Sequence, residues 1–160
     1  MKALILRIVL GVSVLCFSSG IAENPPKPQN DTMTPAPKIG NTIPVLPVRD
    51  LQRSITFYTE TLGFKLDWGG AKGDVICSVS RDNHPIMLSQ TDKIGSPAWV
   101  WMGADVALFE LYRSKGVKVF QEPRNYTWAY EMKFEDIDGN ILWPGSDPRK
   151  DEPFVDRKAN

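Results

Sequence analysis

Two segments determine the fold: Val48-Arg49-Asp50-Leu51 and Leu62-Gly63-Phe64-Lys65-Leu66. The same pattern of residues recurs later in the chain, at Gly103-Ala104-Asp105-Val106 and Lys115-Gly116-Val117-Lys118-Val119. Each copy is typical of a strand, an Asp that caps an amphipathic helix, a Gly that ends the helix and a further strand. One such unit cannot bury its apolar face alone, so we expect the two copies to share one core. We expect the functional site to lie between them.

Working outward from these segments, the sequence predicts one strand, one helix and three further strands in each copy. The predicted strands are residues 42–48, 64–68, 74–80 and 85–89 in the first copy and 98–102, 117–121, 129–134 and 141–143 in the second. Asp138-Gly139 predicts a tight turn before the last strand. Asp136, Asp138 and Asn140 also resemble the start of a calcium loop, but its final Glu is missing, which favours a plain turn.

Length and charge bound the class of protein. The chain has 160 residues, 19 basic and 19 acidic, which is enough for one domain with modest tails. Two of the basic residues lie in the first 22 positions, so residues 23–160 carry 17 basic against 19 acidic residues. A slightly acidic chain argues against a nucleic-acid partner.

Composition divides the chain into four segments. Residues 1–22 begin with Lys2 and Arg7 and continue as a short apolar run that ends in small residues, which predicts a cleaved secretory signal peptide. Residues 23–40 are a proline-rich linker, 41–146 the globular domain and 147–160 a charged C-terminal tail. The expected location is periplasmic or secreted, with no stable membrane insertion after cleavage. A retained membrane anchor and lipidation at Cys16 stay open as alternatives.

Removal of the signal peptide leaves Cys77 as the only thiol, so no intramolecular disulfide is expected. Cys77 lies in the strand-like run 74–80, where a buried, unreactive thiol is the usual case.

The ordered motifs of the domain resemble the glyoxalase/bleomycin resistance/extradiol dioxygenase superfamily, also called the vicinal oxygen chelate superfamily. The motifs are Val48-x-Asp50-Leu51-x-x-Ser54-x-x-Phe57-Tyr58, Leu62-Gly63-Phe64, Gly116-Val117, Glu122-Pro123 and Asp136-x-Asp138-Gly139-Asn140. The resemblance implies an α+β fold of two βαβββ modules that form a cup-shaped mixed sheet. It also implies that the ligand binds in the concave space.

In catalytic members of the superfamily, the resemblance implies a divalent metal held by His or Glu side chains from the first and last strands of each module. Alignment on the motifs places Ile43, Met87, Trp99 and Trp143 at these positions. Hydrocarbon, indole and thioether groups do not suit a hard divalent metal. We therefore expect no metal, no cofactor and no catalytic residue, although the question of an enzyme stays open. The alternative is a metal-dependent lyase or dioxygenase-like enzyme, with a site completed by His84, Asp136 or Glu131.

Aromatic residues take the place of the metal ligands. Trp99 and Trp101 are two apart on one predicted strand and so share a sheet face, which Trp143 is expected to join. Tyr126, Trp128 and Tyr130 lie where an aromatic rim could close, and Glu131 is the carboxylate expected to face the cup. The predicted ligand-binding set is Ile43, Met87, Trp99, Trp101, Trp128, Tyr130, Glu131 and Trp143. The competing interpretation is that these rings fill the core.

The paired tryptophans and the missing metal ligands most resemble the bleomycin resistance branch, whose members bind a drug without turning it over and form homodimers with clefts between subunits. Two features depart from that branch: the predicted export, and a charge too close to neutral to attract a cationic glycopeptide. The leading hypothesis is an exported, metal-free protein that sequesters an aromatic or partly apolar small molecule. A third hypothesis is a purely structural or partner-binding module that is tethered by the proline-rich linker.

Overall fold

The structure is a computed structural model that describes residues 40–155. The predicted signal peptide, nearly all of the predicted linker and residues 156–160 lie outside the described residues.

Two consecutive βαβββ modules form the described domain, which confirms the predicted α+β fold. In the first module the elements are β1 (Val45–Val48), α1 (Leu51–Thr56), β2 (Lys65–Gly69), β3 (Ile76–Arg81) and β4 (His84–Gln90). In the second they are β5 (Trp99–Gly103), α2 (Ala107–Ser114), β6 (Lys118–Asn125), β7 (Tyr130–Glu135) and β8 (Ile141–Ser146). The sheets have the orders β1-β4-β3-β2 and β5-β8-β7-β6. In each sheet the first two strands of that order are parallel and the other pairs are antiparallel.

A glycine follows each helix as predicted, and Asp50 caps α1, whereas Val106 takes the cap position of α2 and Asp105 lies one residue before it. The Asp50 carboxylate accepts a hydrogen bond from the backbone N–H of Arg53 at 2.9 Å, and that of Asp105 accepts one from Ala107 at 3.0 Å. After each helix a glycine adopts a left-handed backbone, with φ of 76° at Gly63 and 73° at Gly116. Between Asp50 and Gly63 the helix widens into a π-helical turn at Phe57–Thr61, which the sequence pattern does not predict.

One core contains buried residues of both modules. Strand β1 contributes Leu46 and Val48, helix α2 contributes Phe109 and Tyr112, and β7 contributes Phe134. Because strand side chains alternate between faces, each sheet turns its other face away from this core. Of the residues predicted to bind ligand, Met87, Trp99, Trp101 and Trp143 lie on those outward faces.

The β7–β8 loop joins the two modules. Its Asp138 carboxylate accepts a hydrogen bond from the Ser54 hydroxyl at 2.7 Å and one from the backbone N–H of Arg49 at 3.0 Å. The Asp136 carboxylate accepts one from the Tyr58 hydroxyl at 2.9 Å, and Asn140 donates to the backbone carbonyl of the first module at Pro47. The sequence favours a plain turn in this loop over the start of a calcium loop. The structure shows that the loop is a joint between the modules, in which both carboxylates accept hydrogen bonds from the protein.

The described part of the C-terminal tail is held against the domain by Asn125. Its side-chain amide donates to the carbonyls of Arg149 and Glu152 at 2.8 and 2.9 Å and accepts from the backbone N–H of Arg149. Within residues 40–155 no helix has the length and apolar character needed to span a bilayer.

Candidate ligand-binding site

Six aromatic side chains of the second module form one contiguous group, here called the aromatic group. Its members are Trp99, Trp101, Phe120, Tyr126, Trp128 and Trp143. Trp99 and Trp101 flank Val100, which is buried in the shared core, so both indoles lie on the outward face of β5.

The ring contacts show that the second sheet is curled. Trp143 lies at the centre, with ring centroids 5.4 Å from Trp101, 6.0 Å from Trp99 and 6.2 Å from Trp128. Trp99 also contacts Phe120 at 5.7 Å, although their strands β5 and β6 are the two opposite edges of the sheet. A flat sheet would hold these strands about 14 Å apart. The sheet therefore bends into a half-cup with the rings across its concave face.

The aromatic group is not core filling. Trp99, Trp101, Phe120 and Trp128 are each about half exposed, between 47% and 52%. Contiguous apolar surface of this kind in a soluble domain marks a binding face or a protein interface. The surface supplies stacking faces of the kind that bind flat aromatic molecules.

Gly145 allows the outer edge of the Trp101 ring to lie against the sheet. Gly145 is in β8, and a Cβ atom added there would lie 2.1 Å from Cη2 of Trp101, a distance that no real side chain tolerates. In the sheet register Gly145 is opposite Glu131 on β7 and Gly103 on β5. The edge of the Trp101 ring thus covers the sheet surface next to Glu131.

A buried polar centre lies beneath the rings and consists of Gln121, Glu131 and Lys133. The Lys133 ammonium donates to Oε1 of Glu131 at 2.9 Å and to Oε1 of Gln121 at 2.8 Å, and it lies 4.3 Å from the Trp143 ring centroid. Glu131 has no exposed surface and Lys133 is 5% exposed. Among residues 40–155 no hydrogen-bond partner is found for Oε2 of Glu131 or Nε2 of Gln121.

The structure brings together five of the eight predicted site residues: Trp99, Trp101, Trp128, Glu131 and Trp143. Tyr130 is placed elsewhere, because it precedes Glu131 on the same strand and neighbouring strand residues point to opposite faces. Its ring stacks on Phe109 of α2 at 5.7 Å, on the core side of the sheet. Met87 lies on β4 of the first sheet beside Val45 and Ser78, and Ile43 precedes β1.

Three residues of the site were missed from the sequence: Phe120, Gln121 and Lys133. The sequence does contain a signal for Lys133, because apolar residues alternate with charged ones along residues 130–134. This alternation places Lys133 on the same sheet face as Glu131. Phe120 and Gln121 lie beside irregularities in the β6–β7 register, so simple alternation does not predict which face they take.

A second concave feature lies between the modules. It is an open cavity of 760 Å³ bordered by the β3–β4 hairpin, β5 and α2, and Trp101, His84, Arg81 and Leu111 are among its lining residues. Arg81 is committed to the protein, because its guanidinium donates to the carbonyl of Leu62 at 2.6 Å and lies over the Tyr112 ring. The only histidine of the chain, His84, is exposed at the start of β4.

The residues weighed as metal ligands do not assemble. Within residues 40–155 no three His, Cys, Asp or Glu side chains cluster closely enough to hold a metal ion. Glu131 is ion-paired with Lys133, and the Asp136 carboxylate accepts hydrogen bonds in the joint. Cys77, the thiol of the described domain, is buried, and burial raises its pKa.

Comparison with known proteins agrees with this architecture. Residues 39–98, which contain the whole first module, match the family model described as Glyoxalase/Bleomycin resistance protein/Dioxygenase superfamily. The superfamily resemblance is confirmed. A search of curated proteins finds no match to the chain.

Several solved structures share the fold at low sequence identity. A bleomycin-binding protein from Streptomyces verticillus, solved with copper(II)-bleomycin, has a TM-score of 0.57 and 21% identity over 68% of this chain and 97% of its own. A bleomycin resistance determinant encoded on the transposon Tn5 has a TM-score of 0.59 and 19% identity over 68% and 98%. An integron cassette protein from the Halifax Harbour sewage outfall has a TM-score of 0.59 and 22% identity over 68% and 99%.

Proposed function

We propose that this protein is an exported, metal-free member of the superfamily that sequesters an aromatic or partly apolar small molecule. The observation that supports ligand binding most directly is the aromatic group, in which four of the six rings are about half exposed on the concave face of a curled sheet. Stacking and apolar burial supply affinity without chemistry on the ligand. The alignment that the resemblance implies puts Ile43, Met87, Trp99 and Trp143 at the four positions where catalytic relatives hold a metal.

The proposed active form is a homodimer in which each cup is shared. The aromatic group covers one wall of a cup, and the outward face of the first sheet presents Met87 and the half-exposed Val45 next to it in the register. A second copy that docks its first sheet over the aromatic group would enclose a ligand between Met87 and the tryptophans. The same contact repeated by two-fold symmetry would close both cups.

Bleomycin is a natural probe, because two structural neighbours are described as a bleomycin-binding protein and a bleomycin resistance determinant. The charge of the protein favours a different ligand. Residues 23–160 have 17 basic and 19 acidic residues, and this small net charge attracts a cationic drug only weakly. We therefore expect uncharged flat aromatics to bind more tightly than bleomycin.

Tryptophan fluorescence during ligand titration tests the proposal. Trp101→Ala is compared with Trp68→Ala, because both side chains are 47% exposed but only Trp101 belongs to the aromatic group. We expect Trp101→Ala to weaken binding of an uncharged bicyclic aromatic about tenfold or more, a typical loss for one stacking face. Trp68→Ala should leave the affinity unchanged. Equal losses in the two variants would contradict a site at the aromatic group.

Two further measurements test the remaining parts of the proposal. Elemental analysis of protein purified without chelator, from cells supplied with manganese, iron, nickel and zinc, should find no stoichiometric metal. A stoichiometric metal would favour the lyase or dioxygenase alternative. Fractionation of the native host should place the protein outside the cytoplasm, and its recovery from the cytoplasm would contradict export.

A further inference from the structure

The polar centre beneath the aromatic group contains two unused hydrogen-bonding atoms of opposite kind. The Lys133 ammonium occupies Oε1 of Glu131 and Oε1 of Gln121, and this contact fixes the orientation of the Gln121 amide. The second carboxylate oxygen of Glu131 is then an unused acceptor, and the amide nitrogen of Gln121 is an unused donor. Both are buried, where protein polar groups are normally hydrogen-bonded.

We propose that these two atoms recognise the polar edge of the ligand, and that the ligand is a flat heterocycle with an N–H donor beside a carbonyl acceptor, as in a cyclic amide. This inference rests on the proposed function and names the ligand class for that site. The ligand N–H donates to Oε2 of Glu131, and the ligand carbonyl accepts from Nε2 of Gln121. One lysine ammonium bonds to both side chains, so the two unused atoms belong to neighbouring polar groups.

Charge balance favours an uncharged ligand edge. Glu131 and Lys133 form a buried ion pair, so the centre as a whole is neutral. A cationic group would be placed beside the Lys133 ammonium, and an anionic group would be placed beside the Glu131 carboxylate. A cyclic amide offers one donor and one acceptor without adding a charge to a dry site.

A single layer of rings separates the polar centre from the open face of the cup. The Trp101 ring edge lies on Gly145, the register partner of Glu131, and Trp143 covers the Lys133 ammonium. Trp101 is about half exposed, which leaves its ring room to rotate away from the carboxylate. The displaced rings then stack on the faces of the ligand while its edge reaches the polar centre.

Isothermal titration calorimetry of the full chain with two matched probes tests this inference. 2-Quinolinone carries the N–H and the carbonyl, whereas N-methyl-2-quinolinone keeps the rings and the carbonyl but lacks the donor. We expect 2-quinolinone to bind about tenfold more tightly, the difference that a site built for a donor makes when the donor is removed. Glu131→Gln, which keeps side-chain size, should abolish this preference without weakening binding of the N-methyl compound. Gln121→Glu should weaken binding of both probes, because both keep the carbonyl that accepts from the Gln121 amide.

Asp67→Asn is the matched control, since this carboxylate accepts hydrogen bonds from Ser78 and Ser80 on the first sheet and should not affect the preference. If Glu131→Gln does not fold, Gln121→Glu is the variant to test, because it retains an acceptor for Lys133. Equal binding of the two probes, or a preference that survives Glu131→Gln, would overturn recognition of the polar edge while leaving the aromatic site intact. If neither probe binds, both the polar recognition and the aromatic site are wrong.

Discussion

The two modules share one strand order but have different outward faces. On the first sheet this face carries Ser78 and Ser80, whose hydroxyls donate to Asp67 at 2.9 and 2.6 Å. On the second sheet it carries the aromatic group above a buried ion pair. The core faces of both sheets are equally apolar. The repeat therefore sets the topology and the core, while binding chemistry is concentrated on one copy.

The loops between the last two strands differ in the same way. In the first module Asp82 and Asn83 form a short exposed turn with left-handed backbone angles, φ of 52° and 65°. In the second module Asp136 and Asp138 point inward and hold the first module through Tyr58 and other donors. One copy of the loop is a simple turn and the other joins the modules.

The largest expected effect comes from Asp136→Asn in the joint. Oδ1 of Asp136 accepts backbone N–H bonds from Asp138 and Asn140, and Oδ2 accepts from Tyr58 and from the Asn140 side chain. An Asn at this position places an NH₂ group against buried donors. We expect the free energy of unfolding, measured by urea denaturation, to fall by about 3 kcal/mol.

Asp82→Asn in the first module is the matched control. The Asp82 side chain is 86% exposed and has a long contact with Arg81 at 3.6 Å. Its replacement should change the free energy of unfolding by about 0.5 kcal/mol or less. Similar losses at the two positions would show that the β7–β8 loop is not a special joint.

Gly145→Ala tests whether close packing of Trp101 distinguishes the second sheet. The added Cβ would meet the Trp101 ring, whereas Gly103, its register partner on β5, has no atom within 4 Å of an added Cβ. We expect Gly145→Ala to lower the free energy of unfolding by about 2 kcal/mol and to shift the tryptophan emission spectrum. An unchanged spectrum, or an equal effect of Gly103→Ala, would contradict this packing.

Tyr58→Phe tests the joint from the side of the first module. Burial raises the pKa of Tyr58 well above its ordinary value of 10.0, and the adjacent Asp136 carboxylate raises it further. The folded state thus holds the phenol proton more tightly than the unfolded chain does. This contribution to stability is complete below pH 10.0 and is lost as the pH rises through the pKa of the folded state.

We expect Tyr58→Phe to lower the free energy of unfolding by about 1.5 kcal/mol at pH 7, because a hydrogen bond to a buried carboxylate is lost. Urea denaturation from pH 7 to 11 should then show a weaker alkaline loss of stability in the variant than in the wild type. Part of the loss should remain, because burial also raises the pKa of Tyr112. Parallel pH profiles would indicate that Tyr58 does not contribute to the alkaline transition.

Much of the fold could be predicted from the sequence because its signals are local. Asp50 caps the start of α1, and Gly63 and Gly116 adopt the left-handed backbone that follows a helix. Each of these roles depends only on the residue and its neighbours in the chain. The π-helical turn at Phe57–Thr61 and the joint could not be predicted in this way. Both depend on contacts between residues far apart in the chain, such as Tyr58 with Asp136.

The aromatic residues of the candidate site could be predicted only in part. Alternation along β5 correctly placed Trp99 and Trp101 together, and the same rule applied to β7 would have excluded Tyr130 once Glu131 was chosen. Phe120 reaches Trp99 only because the sheet curls, and curvature is a property of the whole sheet. Whether the aromatic group binds a ligand remains a prediction for the titrations proposed above.

The smallest expected difference concerns the two helix caps, where the modules should be nearly equivalent. Asp50 bonds the third residue of α1 from the position that directly precedes the helix, the usual capping geometry. Asp105 lies one residue further out and bonds the first residue of α2, because Val106 already has a helical backbone. We expect Asp50→Ala to cost about 1 kcal/mol of unfolding free energy and Asp105→Ala about half of that. Thermal denaturation of both variants measures this, and a larger loss at Asp105 would mean that its carboxylate has a role beyond the cap, in the inter-module cavity that it lines.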